Sequence, residues 1–233
     1  LIGVSGNPKD VILAAQRGQT QGAIGNFTML HLTGNDFHAE NITFGNYCNV
    51  DLIYEPNAKL NRKKRSNAIV QAQLVICNGT RYTAKNCEFI SRLNLCPFAG
   101  AKDVTFEECY FECTDDALCG AGKHIRCRFT LFSSKPFYTT SRTGAYFYDC
   151  DIHSKTTGTQ YLTKVSGPVT LEKCRWTSDD KNLTIKWAPK PNPKDKCYMI
   201  DCTLNGKPLD VPTTPDIPLP VGLSLMPINN TPE

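Results

Sequence analysis

Short segments with alternating apolar and polar residues recur along the chain, and six of them contain a cysteine followed two positions later by an aromatic or aliphatic residue. These segments are TAKNCEF (83–89), VTFEECYF (104–111), KHIRCRF (123–129), AYFYDCDI (145–152), VTLEKCRW (169–176) and YMIDCTL (198–204). A repeat of 20–30 residues with one alternating strand per unit is typical of a stacked solenoid. No long stretch has apolar residues at i, i+3, i+4 and i+7, which disfavours helical and leucine-rich repeats. The pattern therefore predicts an all-β chain folded as a single-stranded right-handed parallel β-helix.

The cysteine and the residue two positions after it lie on the same side of a strand, because strand side chains alternate between faces. We expect both to point inward, giving one column of thiols and one column of aromatic and aliphatic side chains. The cysteines are 22, 18, 23, 24 and 28 residues apart, at Cys87, Cys109, Cys127, Cys150, Cys174 and Cys202. With one cysteine per repeat in a chain of 233 residues, buried free thiols are favoured over a disulfide framework. Pairing of Cys113 or Cys119, which flank the most polar segment, stays open.

The chain divides into two parts of unequal length. Residues 1–206 form the predicted β-helix domain. Because the sequence begins with LIGVSGNPKDVIL, already a strand, a turn and a strand, we expect earlier repeats or a targeting segment to lie outside it. Residues 207–233 contain seven prolines and no periodicity, which predicts an extended tail laid over the last repeats.

The charge of the chain is mildly basic, with a formal net charge of +4. A basic surface suits an anionic partner such as a polyuronate or a nucleic acid. No nucleic-acid-binding motif is present, and no apolar run approaches the length of a membrane span. We therefore expect a monomer that acts on an acidic polysaccharide in a secreted or periplasmic setting, without a nucleic-acid or membrane partner.

Several segments resemble those of one family, the pectin methylesterases of the pectin-lyase-like β-helix superfamily. The segments are LIGVSGNPKDVIL (1–13), DFHAENITFGN (36–46), Gln71-Ala72, DALCG (116–120), DCDIH (149–153) and the neighbourhood of Ile185–Trp187. The resemblance covers most of residues 1–205. It implies a β-helix and a cofactor-free esterase that hydrolyses esters on a uronate-containing polysaccharide.

The resemblance also implies catalytic roles. An aspartate attacks the ester carbonyl, amides stabilise the oxyanion, an acid protonates the leaving alcohol, and an arginine holds the nucleophile. In this chain Asp116 takes the nucleophile position and Gln71 the oxyanion position. The acid position falls on or beside Asn94, whose amide is a poor proton donor, and the arginine position falls on Ile185 or Lys186.

A second alignment, counted backwards from DCDIH (149–153), again places Asp116 at a catalytic position but gives it a different role. It makes Asp116 the acid and places the nucleophile position at Phe137, which has no carboxylate. The resemblance alone leaves the two alignments open, and neither supplies a complete catalytic set.

The residues themselves point to the same segment, TDDALCG (114–120). A turn at Asp115 leaves both Asp115 and Asp116 accessible, whereas in the competing interpretation the two carboxylates only cap that turn. Polar side chains of adjacent repeats should stack nearby and contact the sugar polymer; these are Gln71, Gln73, Arg92, Asn94, Lys135, Tyr138 and Arg142. Trp187, beside Lys186, is the candidate for stacking on a sugar ring.

Three other functions remain open. A polygalacturonase-like glycosidase would use Asp115 and Asp116 as acid and base, with Gly122-Lys123-His124 as a faint further similarity. A calcium-dependent lyase would need oxygen ligands such as Asp103, Glu107, Glu108 and Asp115. A third relative would bind the polysaccharide without catalysis. The four histidines form no transition-metal pattern, so we expect no metal site.

Overall fold

The described part of the chain is all-β. The structure is a computed structural model that describes residues 1–16, 18, 28–47, 73–91, 95, 97–98, 100–113, 118–119, 122–139 and 144–211. The helical content of these residues is one short 3-10 helix, Pro8–Asp10, and the remaining elements are strands. The prediction of an all-β chain is confirmed.

Seven strands form the first sheet, here called sheet 1. In chain order they are β3 (His38–Glu40), β6 (Thr80–Lys85), β8 (Lys102–Glu107), β11 (Gly122–Ile125), β14 (Ala145–Tyr148), β18 (Val169–Glu172) and β21 (Cys197–Ile200). Each strand pairs in parallel with the next one of this series, so the order in the sheet follows the order in the chain.

Nine strands form the second sheet, sheet 2. They are β1 (Ile12–Ala15), β4 (Thr43–Asn46), β7 (Glu88–Ser91), β9 (Tyr110–Cys113), β12 (Arg128–Leu131), β15 (Asp151–Ser154), β19 (Arg175–Ser178), β22 (Thr203–Leu204) and β23 (Lys207–Pro208). The first eight are parallel and in chain order, whereas β23 turns back to pair antiparallel with β22.

Three small parallel sheets contain the remaining strands. β2 (Thr28–Leu32) pairs with β5 (Gln73–Cys77), β16 (Thr159–Tyr161) pairs with β20 (Thr184–Lys186), and β13 (Phe137–Thr139) lies between β10 (Leu118–Cys119) and β17 (Thr163–Ser166). In most repeats the chain runs from sheet 1 to sheet 2 and then through a small sheet before it returns to sheet 1. Between β7 and β8 the described residues contain no small-sheet strand, and between β15 and β18 the chain passes through two, β16 and β17. Strands one repeat apart are neighbours in every sheet, which is compatible with a β-helix.

The predicted column of aromatic and aliphatic side chains is confirmed along sheet 2. Its consecutive members are Phe44, Phe89, Phe111, Phe129, Ile152, Trp176 and Leu204. The first four rings are stacked, with centroids 5.3, 5.1 and 4.9 Å apart. Parallel pairing in register causes this order, because it places like positions of successive repeats one strand spacing apart.

The predicted thiol column is confirmed as well. All six cysteines are free and at most 4% exposed. The Cys127 thiol donates to the carbonyl oxygens of Phe106 and Ile125, and Cys109 and Cys150 make the corresponding pair of bonds in their own repeats. A thiol is small and a weak donor, so it can fill the inner corner between two sheets while bonding to backbone carbonyls there.

The residue before each of these cysteines has a left-handed backbone. The values of φ lie between 46° and 54° at Asn86, Glu108, Arg126, Asp149, Lys173 and Asp201. At each corner except the last, this residue donates its N–H to the repeat that follows, as in Glu108 to Ile125 and Arg126 to Tyr148. The chain thus turns from sheet 1 to sheet 2 within two residues while the corner backbone stays hydrogen-bonded between repeats.

The C-terminal end of the described chain differs in detail from the predicted extended tail. Lys207–Pro208 forms the antiparallel strand β23, and the N–H of Leu209 donates to the carbonyl of Cys202. Val211 is buried against the core. The first residues of the tail therefore fold back on the last parallel strand, and residues 212–233 lie outside the described part of the chain.

Candidate functional site

All four predicted catalytic residues, Gln71, Asn94, Asp115 and Asp116, lie outside the described residues. So do two of the predicted substrate-binding residues, Arg92 and Arg142. The described residues of the predicted site are Gln73, Lys135, Tyr138, Lys186 and Trp187. Tyr138 lies in β13, the strand between β10 and β17. The structure therefore describes only substrate-binding residues of the predicted site.

Gln73 begins strand β5 and takes part in the contact between β5 and β2. Its side-chain oxygen accepts a hydrogen bond from the Thr28 hydroxyl at 3.1 Å, and its backbone oxygen accepts one from the Asn46 amide at 3.1 Å. The side chain is half-buried. These contacts assign to Gln73 a structural contribution, while a contact with substrate stays a prediction.

Lys186 and Trp187 line one cavity of about 620 Å³ at the C-terminal end of the described fold, here called the Tyr161 cavity. Tyr161 and Lys186 are directly paired residues of the neighbouring strands β16 and β20, and both line this cavity. Asp210 and apolar side chains, among them Leu204, complete the wall. A cavity with aromatic rings, a cation and a carboxylate can hold a sugar ring by stacking and by charged hydrogen bonds.

Lys135 extends this cluster by one repeat. Its ammonium lies 6.0 Å from the centroid of the Tyr161 ring, within the range of a cation–π contact. Two predicted substrate-binding lysines, Lys135 and Lys186, therefore lie on either side of Tyr161. The result is a short row of positive charge and aromatic surface across successive repeats, which favours an anionic ligand.

The structure distinguishes between the two residues at the resemblance's arginine position. Both residues border the Tyr161 cavity, but Ile185 is 6% exposed and packs in the core, whereas Lys186, the next residue of β20, is exposed. Alternation along the strand requires this opposite placement. A charged role at this position therefore falls to Lys186.

Tyr161 and Asp210, which supply a phenol and a carboxylate to this cavity, were not predicted from the sequence. Tyr161 follows none of the cysteine phrases, and Asp210 lies in the segment predicted as an extended tail. The only available signal was that Tyr161 and Lys186 lie about one repeat apart. Variable lengths between strands hide this relationship until the pairing of β16 with β20 is known.

The other proposed chemistries find less support in the described residues. His124 is buried among rings, so it faces no groove. Glu107 and Glu108 pair with Arg126, and within the described ranges no three His, Cys, Asp or Glu side chains are placed to hold a metal ion. His124 therefore does not line a groove, and the described acidic residues of the lyase hypothesis, Asp103, Glu107 and Glu108, form no shared set of metal ligands, while Asp115 lies outside the described residues.

The DCDIH segment (149–153) has a structural role on the surface of sheet 2. Arg175 donates to Asp151 at 2.6 Å and to Asp149 at 2.5 Å, and these carboxylates raise the pKa of the Arg175 guanidinium. His153 contacts the Thr177 hydroxyl at 2.8 Å. The acidic side chains of this segment thus link neighbouring repeats.

None of the helical structure in the described residues is long and apolar enough to cross a membrane. In comparisons with known proteins, no family model matches this sequence, and no curated protein or solved structure shows significant similarity to it.

Proposed function

We propose that this protein is a right-handed parallel β-helix that binds an acidic polysaccharide and hydrolyses its esters, in a secreted or periplasmic setting. The observation that carries the proposal is the row Lys135–Tyr161–Lys186 with Trp187 in the same cavity. Two residues predicted as substrate contacts, Lys186 and Trp187, line this cavity, and a third, Lys135, lies over the Tyr161 ring. Lysines pair with the carboxylates of a uronate polymer, and the rings stack on its apolar sugar faces.

The proposed reaction is centred on Asp116. Its carboxylate attacks the ester carbonyl, a new C–O bond forms, and the Gln71 amide donates to the developing oxyanion. Collapse of this tetrahedral intermediate breaks the C–O bond to the alcohol, which leaves with a proton. Water then hydrolyses the resulting acyl anhydride on Asp116, which frees the uronate carboxylate and returns the Asp116 carboxylate. Asp115 is the neighbouring carboxyl group that can supply the proton, since Asn94 cannot.

The test is methanol release from highly methylated pectin, with reducing ends measured in the same samples. We expect methanol from the unmodified protein, none from Asp116→Ala and no new reducing ends from either. Asp179→Ala is the matched control, because Asp179 is an exposed carboxylate that pairs with Lys155 on the surface. New reducing ends without methanol would replace the esterase by a glycosidase that uses Asp115 and Asp116.

A second candidate is a binding protein without catalysis. It is favoured by the incomplete catalytic set, because an amide, Asn94, stands at the acid position and a lysine, Lys186, at the arginine position. This candidate predicts retained binding to pectin with neither methanol nor reducing ends. The same two assays, combined with a pectin-binding measurement, distinguish all three outcomes.

A further inference from the structure

His124 is a core residue of an aromatic column on sheet 1. Its ring is stacked between Phe106 and Phe147, with centroids 5.1 and 4.5 Å apart and interplanar angles of 17° and 9°. Phe111 and Phe129 of sheet 2 meet the same ring edge-on at 5.6 Å. The side chain is 4% exposed. An ionisable ring thus occupies a position that its neighbours fill with phenyl groups.

The two ring nitrogens of His124 are unequal. Nδ1 lies 3.4 Å from the backbone oxygen of Tyr146, which can only accept, so Nδ1 carries the proton. Nε2 is buried and has no hydrogen-bond partner. Protonation would place a positive charge and a second N–H donor at this atom, with nothing to receive either.

No carboxylate faces His124 from the strands packed around it. Rings project toward it from β8, β9, β12 and β14. The Cys150 thiol donates to the backbone oxygen of His124, and burial raises the pKa of this thiol and of Cys127. Glu112 is buried, but it alternates with Phe111 along β9 and so lies on the opposite face of that strand. The other charged and phenolic side chains of these strands and β11 alternate to the outer faces or lie exposed at strand ends; they are Lys102, Asp103, Glu107, Tyr110, Lys123, Arg128, Tyr146 and Tyr148.

This environment makes folding dependent on pH. Burial lowers the pKa of His124 from 6.5 to about 3, with the hydrogen bond to Tyr146 opposing part of the shift. Between these two values the unfolded chain binds a proton that the folded chain excludes. The stability of the folded state is therefore highest above pH 6.5, where neither state binds this proton. It declines as the pH falls from 6.5 toward the pKa of His124 in the folded state.

We propose that His124 is an acid-sensitive switch in the core of this protein, which locks β8, β11 and β14 together at neutral pH and releases them in acid. The charged imidazole leaves the ring column for water, and β11 separates from its two neighbours. The segment with Asp115 and Asp116 directly precedes β11 in the chain. Acidification therefore releases β11, the strand that holds the C-terminal end of this segment in place, whatever reaction the two carboxylates perform.

The experiment measures unfolding of the full chain by urea between pH 7.5 and 4.5, for the unmodified protein and for His124→Phe. We expect the folding equilibrium constant of the unmodified protein to fall about 50-fold, relative to the variant, between pH 6.5 and 4.5. His124→Leu is the second variant if phenylalanine does not fit. His153→Gln is the matched control, since His153 lies on the outer face of sheet 2 and should leave the pH dependence unchanged.

Two direct observations on the unmodified protein complete the test. The His124 ring signal in an NMR titration should stay in the neutral form down to pH 4.5, and amide protection at Lys123–Ile125 should be lost at higher pH than protection in β4. Titration of the folded His124 ring near pH 6.5 would overturn the proposal. Equal acid sensitivity of the protein and of both His124 variants would overturn it too.

Discussion

The Arg126 guanidinium forms an ion pair with Glu108, the residue at the same corner one repeat earlier, with Nε and Oε1 3.4 Å apart. Both residues have a left-handed backbone, with φ of 51° and 54°. The corner residues continue with alternating sign along the fold, in the order Glu108, Arg126, Asp149, Lys173 and Asp201. Each charge inside this corner column therefore has opposite charges one repeat before and after it.

The corner column predicts a difference between two substitutions of Arg126. Arg126→Asn should change the free energy of unfolding by less than about 0.5 kcal/mol, because asparagine tolerates the left-handed region while the exposed ion pair contributes little. Arg126→Glu should cost about 1 kcal/mol, because three acidic side chains then follow one another. Urea unfolding at low and high salt measures both, and equal stability of the two variants at low salt would contradict the prediction.

The aromatic columns predict a large cost for removing Phe111. This ring contacts Phe89, Phe129 and Phe106 with centroids 4.9–5.1 Å apart, and it is fully buried. Phe111→Ala should lower the free energy of unfolding by about 3–5 kcal/mol, and Phe111→Leu should cost less because it keeps most of the volume. Urea unfolding measures both variants; a loss below about 1 kcal/mol for Phe111→Ala would mean that the columns are not packed as described.

The thiol column predicts unreactive cysteines in the folded protein. Burial raises the pKa of Cys127 and Cys150, and neither side chain is accessible, so little thiolate is available to react. Alkylation followed by peptide mass spectrometry should leave both residues unmodified in buffer and label them in urea. Rapid labelling of either residue in buffer, at the rate found in urea, would show that the corner is open.

The Tyr161 cavity predicts separate electrostatic and stacking contributions to polysaccharide binding. Lys186→Gln and Trp187→Ala should each weaken binding to demethylated pectin by about tenfold, or 1.4 kcal/mol. Only the Lys186 effect should shrink at high salt, because screening acts on charge. Trp187→Phe should keep most of the affinity.

Lys85→Gln is the matched control for this binding experiment. Lys85 is an exposed lysine at the end of β6, on sheet 1 and remote in the strand order from β16 and β20. Its loss removes the same charge without touching the cavity. If Lys85→Gln weakened binding as much as Lys186→Gln, net charge rather than the cavity would account for the affinity.

The sequence determined which residues form the core beside the corners. Cys127 and Phe129 lie two apart on one strand, and the same phrase recurs in five other repeats, so alternation alone assigns their inward direction. The inward position of His124 was readable by the same rule but was missed. It lies three residues before Cys127, as Phe106 and Phe147 lie three before their own cysteines.

Only the tertiary structure decided which side chains of different repeats meet. Lys135, Tyr161 and Lys186 share no phrase, and the segments between strands vary in length, so the sequence does not define their register. Parallel pairing of β16 with β20 places Tyr161 beside Lys186, and stacking of successive repeats brings Lys135 over the ring. The physical reason is that local alternation sets the direction of a side chain, whereas its neighbours depend on hydrogen bonding between strands about one repeat apart.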